Sequence, residues 1–324
     1  MHAGAAVVVT GGAGYIGSHV CKALAESGYN PITYDNLQGG HRRAVQWGPL
    51  IEGDIHDQER LCSVFSQYQP LAVFHLASYI NVRESLIHPG KYYDNNTQGT
   101  LALLQSMVRC DIKKLVFSST ASVFGHPLYL PIDEQHIKSP LHPYGKSKLM
   151  AEMIIEDFEK AHGICSICLR YFNASGADPS GLIGESHMPE THLIPLIMQT
   201  AIGLRDAIEI YGADYPTKDG TAVRDYIHVS DLADAHIKSL DWLMQNSYSQ
   251  HLNLGTGQGY SVKEVIDTIE EFSGKKIQRI MRTPSPDSAS LIASAALAKE
   301  ILNWHPQHSS LHNIVETAWR WHTK

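Results

Sequence analysis

No stretch of about twenty consecutive apolar residues occurs in this 324-residue chain, so neither a transmembrane helix nor a membrane partner is expected. Basic residues are not in excess either. Lys and Arg number 26 against 33 Asp and Glu, a net charge of −7, with no long Lys/Arg run; this argues against a general nucleic-acid binder. Cysteines are few and odd in number, at five (Cys21, Cys62, Cys110, Cys165 and Cys168), which favours reduced thiols and a cytoplasmic setting. Cys165 and Cys168 form a C-x-x-C in "ICSICLRYF", but that stretch reads as a buried strand, where the two side chains point to opposite faces. The amino-terminal "MHAGAAVVVTGG" lacks the charged n-region of a signal peptide, and its apolar run ends at once in glycines. The 19 histidines are dispersed and contain no H-E-x-x-H, so no metal is assigned; His75 and His228 read as packed structural side chains. Low-complexity tracts and internal repeats are absent.

What is present is the composition of an ordinary globular protein, 43% hydrophobic and 18% charged, with a clear rhythm. Short β-branched runs at 5–10, 31–35, 49–54, 71–77, 114–119 and 167–172 alternate with helical stretches at 15–28, 57–68, 92–109 and 143–162. Parallel βαβ units with right-handed crossovers then predict an α/β fold built on a doubly wound parallel Rossmann sheet. After Asn173 the rhythm breaks in "NASGADPSGLIGESHMPETH", a Gly- and Pro-rich loop of the kind found near sites. The organisation expected is a cofactor-binding domain over 1–173 and a smaller α/β substrate domain over 174–324, interleaved at their edges. In the latter, Ser261 and Glu264 form a capping-box pattern.

Gly11, Gly14 and Gly17 fall between the first strand and the first helix. Glycines there allow a tight turn and let the backbone approach a pyrophosphate at the positive helix end. Asp35 ends the second strand, 24 residues after Gly11. A carboxylate at that place accepts hydrogen bonds from the adenosine ribose and repels a 2′-phosphate, favouring NAD over NADP; it also suits a simple turn before Asn36. Asp54, ending the third strand, is suited to the adenine amine.

"PYGKSKLMAE" sets Tyr144 and Lys148 four positions apart on a helix. A free phenol titrates near 10, and bringing it towards neutrality takes roughly 4 kcal/mol of differential stabilisation. A lysine one turn away and an oxidised nicotinamide would both favour phenolate. "FSSTASVFG" offers Ser118, Ser119, Thr120 and Ser122 as the hydroxyl that completes such a group.

With these motifs in order, the chain resembles the extended short-chain dehydrogenase/reductase family and, within it, the UDP-glucose 4-epimerases. The resemblance spans essentially the whole chain, through "VTGGAGYIGSH", "EGDI", "YYDNN", "FSSTASVFG", "YGKSKLMAE", "LRYFN", "DYPTKDGT" and "VRDYIHVSDLA". It implies an isomerase with bound NAD and a UDP-sugar substrate, inverting C4 through a 4-keto intermediate. Thr120, Tyr144 and Lys148 are implied as the catalytic trio, with Tyr144 as base and acid. Gly11, Gly14, Tyr15, Ile16, Gly17, Asp35, Asn36, Asp54, Ile55, Leu76, Ala77, Ser78, Ile80, Asn95 and Phe172 are implied at the cofactor. Asn173, His192, Leu193, Ile210, Tyr211, Arg224, Asp287 and Leu291 are implied at the UDP-sugar. A homodimer through the helices near 92–109 and 143–162 is implied as well.

Departures from the family pattern are few. Thr120 stands where these enzymes usually carry Ser, and Phe124 lacks the hydroxyl of the usual Tyr beside the sugar. Pro284 occupies the place of a phosphate-binding Arg. Leu291, at a position that tunes pocket size, is intermediate for N-acetylated sugars. Alternatives therefore stay open: a 4-epimerase of a UDP-pentose, UDP-uronate or UDP-N-acetylhexosamine, or a non-catalytic NAD-sensing protein. Ala121 and Ser122 follow Thr120 where a dehydratase would carry Asp-Glu.

Overall fold

The computed structural model describes residues 4–283 and 288–324. Strands β1 (Ala6–Thr10), β2 (Asn30–Asp35), β3 (Leu50–Glu52), β4 (Ala72–His75), β5 (Lys114–Thr120) and β6 (Cys165–Tyr171) alternate with helices α1 (Tyr15–Glu26), α2 (Gln58–Tyr68), α3 (Val82–Ile87), α4 (Pro89–Tyr92), α5 (Gly99–Arg109) and α6 (Pro143–His162). Then come β7 (Asn173–Ser175), α7 (Leu193–Ala201), β8 (Ile208–Tyr211), β9 (Val223–Arg224), β10 (Tyr226–His228), α8 (Val229–Gln245) and β11 (Gln250–Leu254). The chain ends with β12 (Tyr260–Ser261), α9 (Val262–Ser273), β13 (Arg279–Arg282), β14 (Ser290–Leu291), α10 (Ala296–Leu302) and α11 (Leu311–His322).

Seven strands form one parallel sheet in the order β11-β6-β5-β4-β1-β2-β3. All five side chains of β1 are buried, which is how a strand covered on both faces reads: a continuous apolar run rather than an alternation. Val7 and Val9 pack with α1, α8 and α10 on one face; Val8 and Ile32 pack with α2, α5 and α6 on the other. Cys165 joins the first layer and Cys168 the second, so the C-x-x-C is a strand with divided faces, and both thiols are free. β11, from the second half of the sequence, extends the sheet beyond β6.

A smaller core gathers Ile194, Ile197 and Met198 of α7, Val265, Ile266 and Ile269 of α9, and Ile314, Val315 and Ala318 of α11 around β8. Ser261 and Glu264 make both bonds of the expected capping box at α9. Short sheets β7–β10, β8–β13 and β12–β9–β14 sit in this half. β1 lies between β2 and β4, so the strand order reverses there. Doubly wound sheets bind ligands at this switch point, beyond the carboxyl ends of the strands.

Candidate active site

The glycine turn is forced by contact. Gly11 has φ +77°, and a Cβ there would lie 2.6 Å from the Ala77 nitrogen; a Cβ on Gly17 would lie 2.1 Å from the Gly11 carbonyl oxygen. Helix α1 thus starts against the turn, with no acidic residue in its first turn and its amide groups free to face an anion. Asp35 braces the same turn: its carboxylate accepts from the Ala13 N–H at 3.0 Å and the Leu37 N–H at 2.8 Å. Burial pushes this carboxyl up and those two amide bonds oppose the shift. Asp54 accepts from the Asn36 side chain at 3.0 Å and from the His56 backbone and ring, which hold its pKa low against partial burial. Ile55 is buried under Gly99. The Tyr15 hydroxyl donates to the Gly176 carbonyl at 2.6 Å, and Ile16 packs on the sheet core.

Thr120 ends β5 and Tyr144 lies in the first turn of α6, where His142 caps the helix by accepting from the Gly145 N–H at 3.2 Å. The Thr120 hydroxyl accepts from the Ser122 N–H at 3.1 Å and hydrogen-bonds the Tyr144 phenol. The phenol ring stacks on His142 at 5.9 Å and meets Tyr92 edge-on at 6.5 Å. Burial raises its pKa above the ordinary value; the Thr120 hydrogen bond is what lowers it.

The expected depression of the phenol by Lys148 is not produced by the protein groups. The buried ammonium is committed elsewhere, donating to Ser78 Oγ at 2.6 Å and to the Ser118 carbonyl at 2.7 Å. Burial draws the Lys148 pKa down to about 7, with Glu152 opposing. The lysine therefore fixes the loop after β4 to the end of β5, as well as standing one helical turn from the phenol.

Leu76, Ala77, Ser78 and Ile80 lie on that loop, Ile80 exposed. A residue not singled out from the sequence clamps it. Asn96, buried in a π-helical turn over Tyr93–Gln98, accepts from the Tyr79 N–H at 2.9 Å and donates to the Tyr79 carbonyl and to Ser147; Asn95 donates to it. The signal was two adjacent asparagines inside a helical pattern, a poor choice for an uninterrupted helix and a common one where a π-turn serves a site.

Further round, Phe172 packs with Val123, Phe124, Ile132, Leu149 and Leu291. Phe124 is fully buried in this cluster. Leu291 pairs with Arg224 across β14 and β9; Arg224 donates to the Val223 carbonyl. The neighbouring Asp225 carboxylate is fully buried and accepts from Thr256, Gly257 and Ala293. The Asn173 backbone N–H donates to the Asp225 carbonyl at 3.0 Å, where β7 begins to pair with β10. Ile210 turns its side chain into the smaller core, while Tyr211 donates to Glu209 and lies under the Arg83 guanidinium, 4.2 Å from the ring centre. Asp287 and Pro284 lie outside the described residues.

His192 stands just before α7 and Leu193 begins the helix, but the His192 side chain makes no cap bond; its Nδ1 faces two carboxylates, Glu185 at 2.7 Å and Glu190 at 3.1 Å. His187 joins them, so the fold gathers two of the histidines that read as dispersed. Burial lowers both imidazoles, but the carboxylates outweigh it and raise His187 to about 9 and His192 to about 10. The other two histidines behave as expected. His75 sits between Thr10 and Thr100 at 2.7 and 3.0 Å, and His228 caps α8 and contacts Thr317.

A model of the NAD dependent epimerase/dehydratase family matches residues 7–255. A UDP-glucose 4-epimerase of Rhizobium meliloti is 46% identical over 319 residues, covering 98% of this chain and 97% of its own. The structure of UDP-glucose 4-epimerase from Brucella ovis in complex with NAD superposes with a TM-score of 0.96 at 46% identity, over 97% of each chain. That of the Stenotrophomonas maltophila UDP-glucose 4-epimerase with bound NAD and formylated UDP-arabinopyranose gives 0.95 at 37%, over 98% of each.

Proposed function

The chain belongs to the NAD dependent epimerase/dehydratase family, and we propose that it is an NAD-dependent UDP-hexose 4-epimerase interconverting UDP-glucose and UDP-galactose. The observation that carries this is the junction of Thr120, Tyr144 and Lys148 at the end of β5, on the same sheet edge as a glycine turn that tolerates no Cβ at Gly11 or Gly17. The residues fit NAD: a backbone cradle at α1, Asp35 at the end of β2, and Ser78 with Lys148 on the nicotinamide side. When bound, NAD supplies a hydride acceptor and donor for C4 of the sugar and, oxidised, a positive charge that favours phenolate.

Tyr144 then takes the proton of the 4-hydroxyl and returns it after the 4-keto sugar has turned. Thr120 holds the reacting oxygen and the phenol in one hydrogen-bonded group. Lys148 positions the β4 loop through Ser78. Arg224, with its planar fork, is suited to the diphosphate, and Asn173, Tyr211 and Leu291 to the nucleotide sugar. The segment before Asn173 holds the cofactor and the segment after it supplies most contacts to the UDP-sugar. Five free cysteines support a reducing cytoplasmic setting; among the described residues no helix is long and apolar enough to cross a membrane. Met150 and Met153 of α6 are 44% and 56% exposed and support a homodimer through α5 and α6. Sedimentation at micromolar concentration should give twice the chain mass, and a monomer would overturn the dimer.

The test is incubation of the pure protein with UDP-galactose, without added cofactor, and chromatography of the products. UDP-glucose should form. No conversion, even with added NAD, would move the reading to a UDP-pentose, UDP-uronate or N-acetylated substrate, which the formylated UDP-arabinopyranose seen in the Stenotrophomonas relative makes the next to try.

A further inference from the structure

Glu185, His187, Glu190 and His192 stand within eight residues on the loop leading to α7, and one donor atom from each lies within 4.8 Å of all the others. His192 Nδ1 is 2.7 Å from Glu185 and 3.1 Å from Glu190; His187 Nδ1 is 3.2 Å from Glu185 and 3.7 Å from Glu190. A tetrahedral ion with N and O bonds of about 2.0–2.2 Å separates its donors by about 3.3–3.6 Å. The observed spacings bracket that range.

Burial adds a second observation. The Glu185 and Glu190 side chains are each 4% exposed, and two carboxylates withdrawn together from water demand countercharge. His187 Nδ1 is buried and faces both carboxylates, yet meets neither in hydrogen-bond geometry. Hydrogen bonds hold the loop backbone at Glu185 and orient the Glu190 carboxylate, as metal sites require of their ligands. Trp321 Nε1 donates to the Glu185 carbonyl at 2.8 Å, and the Glu190 carboxylate accepts from the Thr191 and His192 amides. The Tyr15 ring meets His187 edge-on at 6.4 Å.

We infer that this loop binds a divalent transition-metal ion that displaces the proton each imidazole holds against the carboxylates, with zinc best suited to a donor set of two imidazoles and two carboxylates. The ion has a structural role, holding the loop between the start of α1 and the start of α7. It takes no part in the chemistry at Tyr144, so the test reads metal binding and not turnover.

The full-length protein, dialysed against a chelator, is titrated with Zn2+ alone by calorimetry and with Co2+ by visible absorption. One ion per chain should bind with sub-micromolar affinity, raise the melting temperature, and give the intense ligand-field bands of tetrahedral Co2+. In His187→Ala and Glu190→Gln the affinity should fall by about 100-fold or more. No stoichiometric uptake by the unmutated protein would overturn the site and leave an ion-pair cluster only. Uptake undiminished in both variants would overturn it equally. Should either variant fail to fold, the cobalt spectrum of the unmutated protein decides, and weak octahedral bands count against the site.

Discussion

Replacing Thr120 by Val keeps the shape of a side chain that is 7% exposed and deletes its hydroxyl. Two hydrogen bonds go with it. The bond from the Ser122 N–H is structural, and its loss costs about 1 kcal/mol of stability. The bond to the phenol matters for turnover, because it is what lowers the Tyr144 pKa against burial. A hydrogen bond to a charged partner contributes about 1.5–3 kcal/mol, equivalent to about 1–2 pKa units. Losing it moves the phenol higher still, so less phenolate exists at any given pH. The acid limb of the kcat profile should therefore shift to higher pH by about 1–2 units, and kcat at neutral pH should drop about 10- to 150-fold. Thr120→Ser, which retains the hydroxyl, should stay close to the starting rate. The assay is conversion of UDP-galactose over a pH series, with thermal melting to separate the structural loss. A Thr120→Val protein with unchanged kcat and an unmoved limb would refute the role given to this hydroxyl.

Tyr144→Phe should abolish turnover while NAD, followed by its absorbance through gel filtration, still co-elutes with the protein. Arg170→Met should destabilise by about 3–5 kcal/mol in urea unfolding, because it strips the bidentate partner from Glu152 where the two side chains are 1% and 2% exposed; adding Glu152→Leu should recover most of the loss. Burial holds His75 and His228 at about 3 and His236 at about 4, below the roughly 6.5 of an unfolded histidine. Their contribution is thus complete above about pH 6.5 and is lost as pH falls towards 3–4, since the unfolded chain binds more protons. Urea midpoints should decline through that window, with a shallower slope in His236→Gln.

Much of the site was legible because its logic is local. The Gly11–Gly14–Gly17 turn with Asp35 at a strand end follows from spacing within the β1-α1-β2 unit, and Tyr144 one helical turn from Lys148 follows from spacing within α6. What the spacing could not say is where Lys148 points: its partners, Ser78 and Ser118, come from two other strand ends. Asn96 was hidden because its value lies in reaching Tyr79 and Ser147 from a widened helical turn. Glu185, His187, Glu190 and His192 stand within eight residues on a loop, but their spacing is not the one-face helical spacing of H-E-x-x-H, so the histidines read as dispersed. Arg170, in an apolar strand, gave no hint of its partner in α6.

The seventh strand sets a condition on how the molecule is made. β11 pairs with β6 in parallel from Gln250 to Leu254, against a strand whose seven residues are all buried. Until the ribosome has released residue 254, that edge of the sheet is an open row of peptide groups flanked by apolar side chains, a template for unwanted pairing. Completion comes later still: Ala298, Leu302 and Trp304 belong to the first layer, and Trp304 donates to the Asp231 carbonyl at 3.0 Å. The amino-terminal half is therefore a cofactor cradle that cannot be cut free at Asn173. Its last strand and part of its core arrive with the final third of the chain.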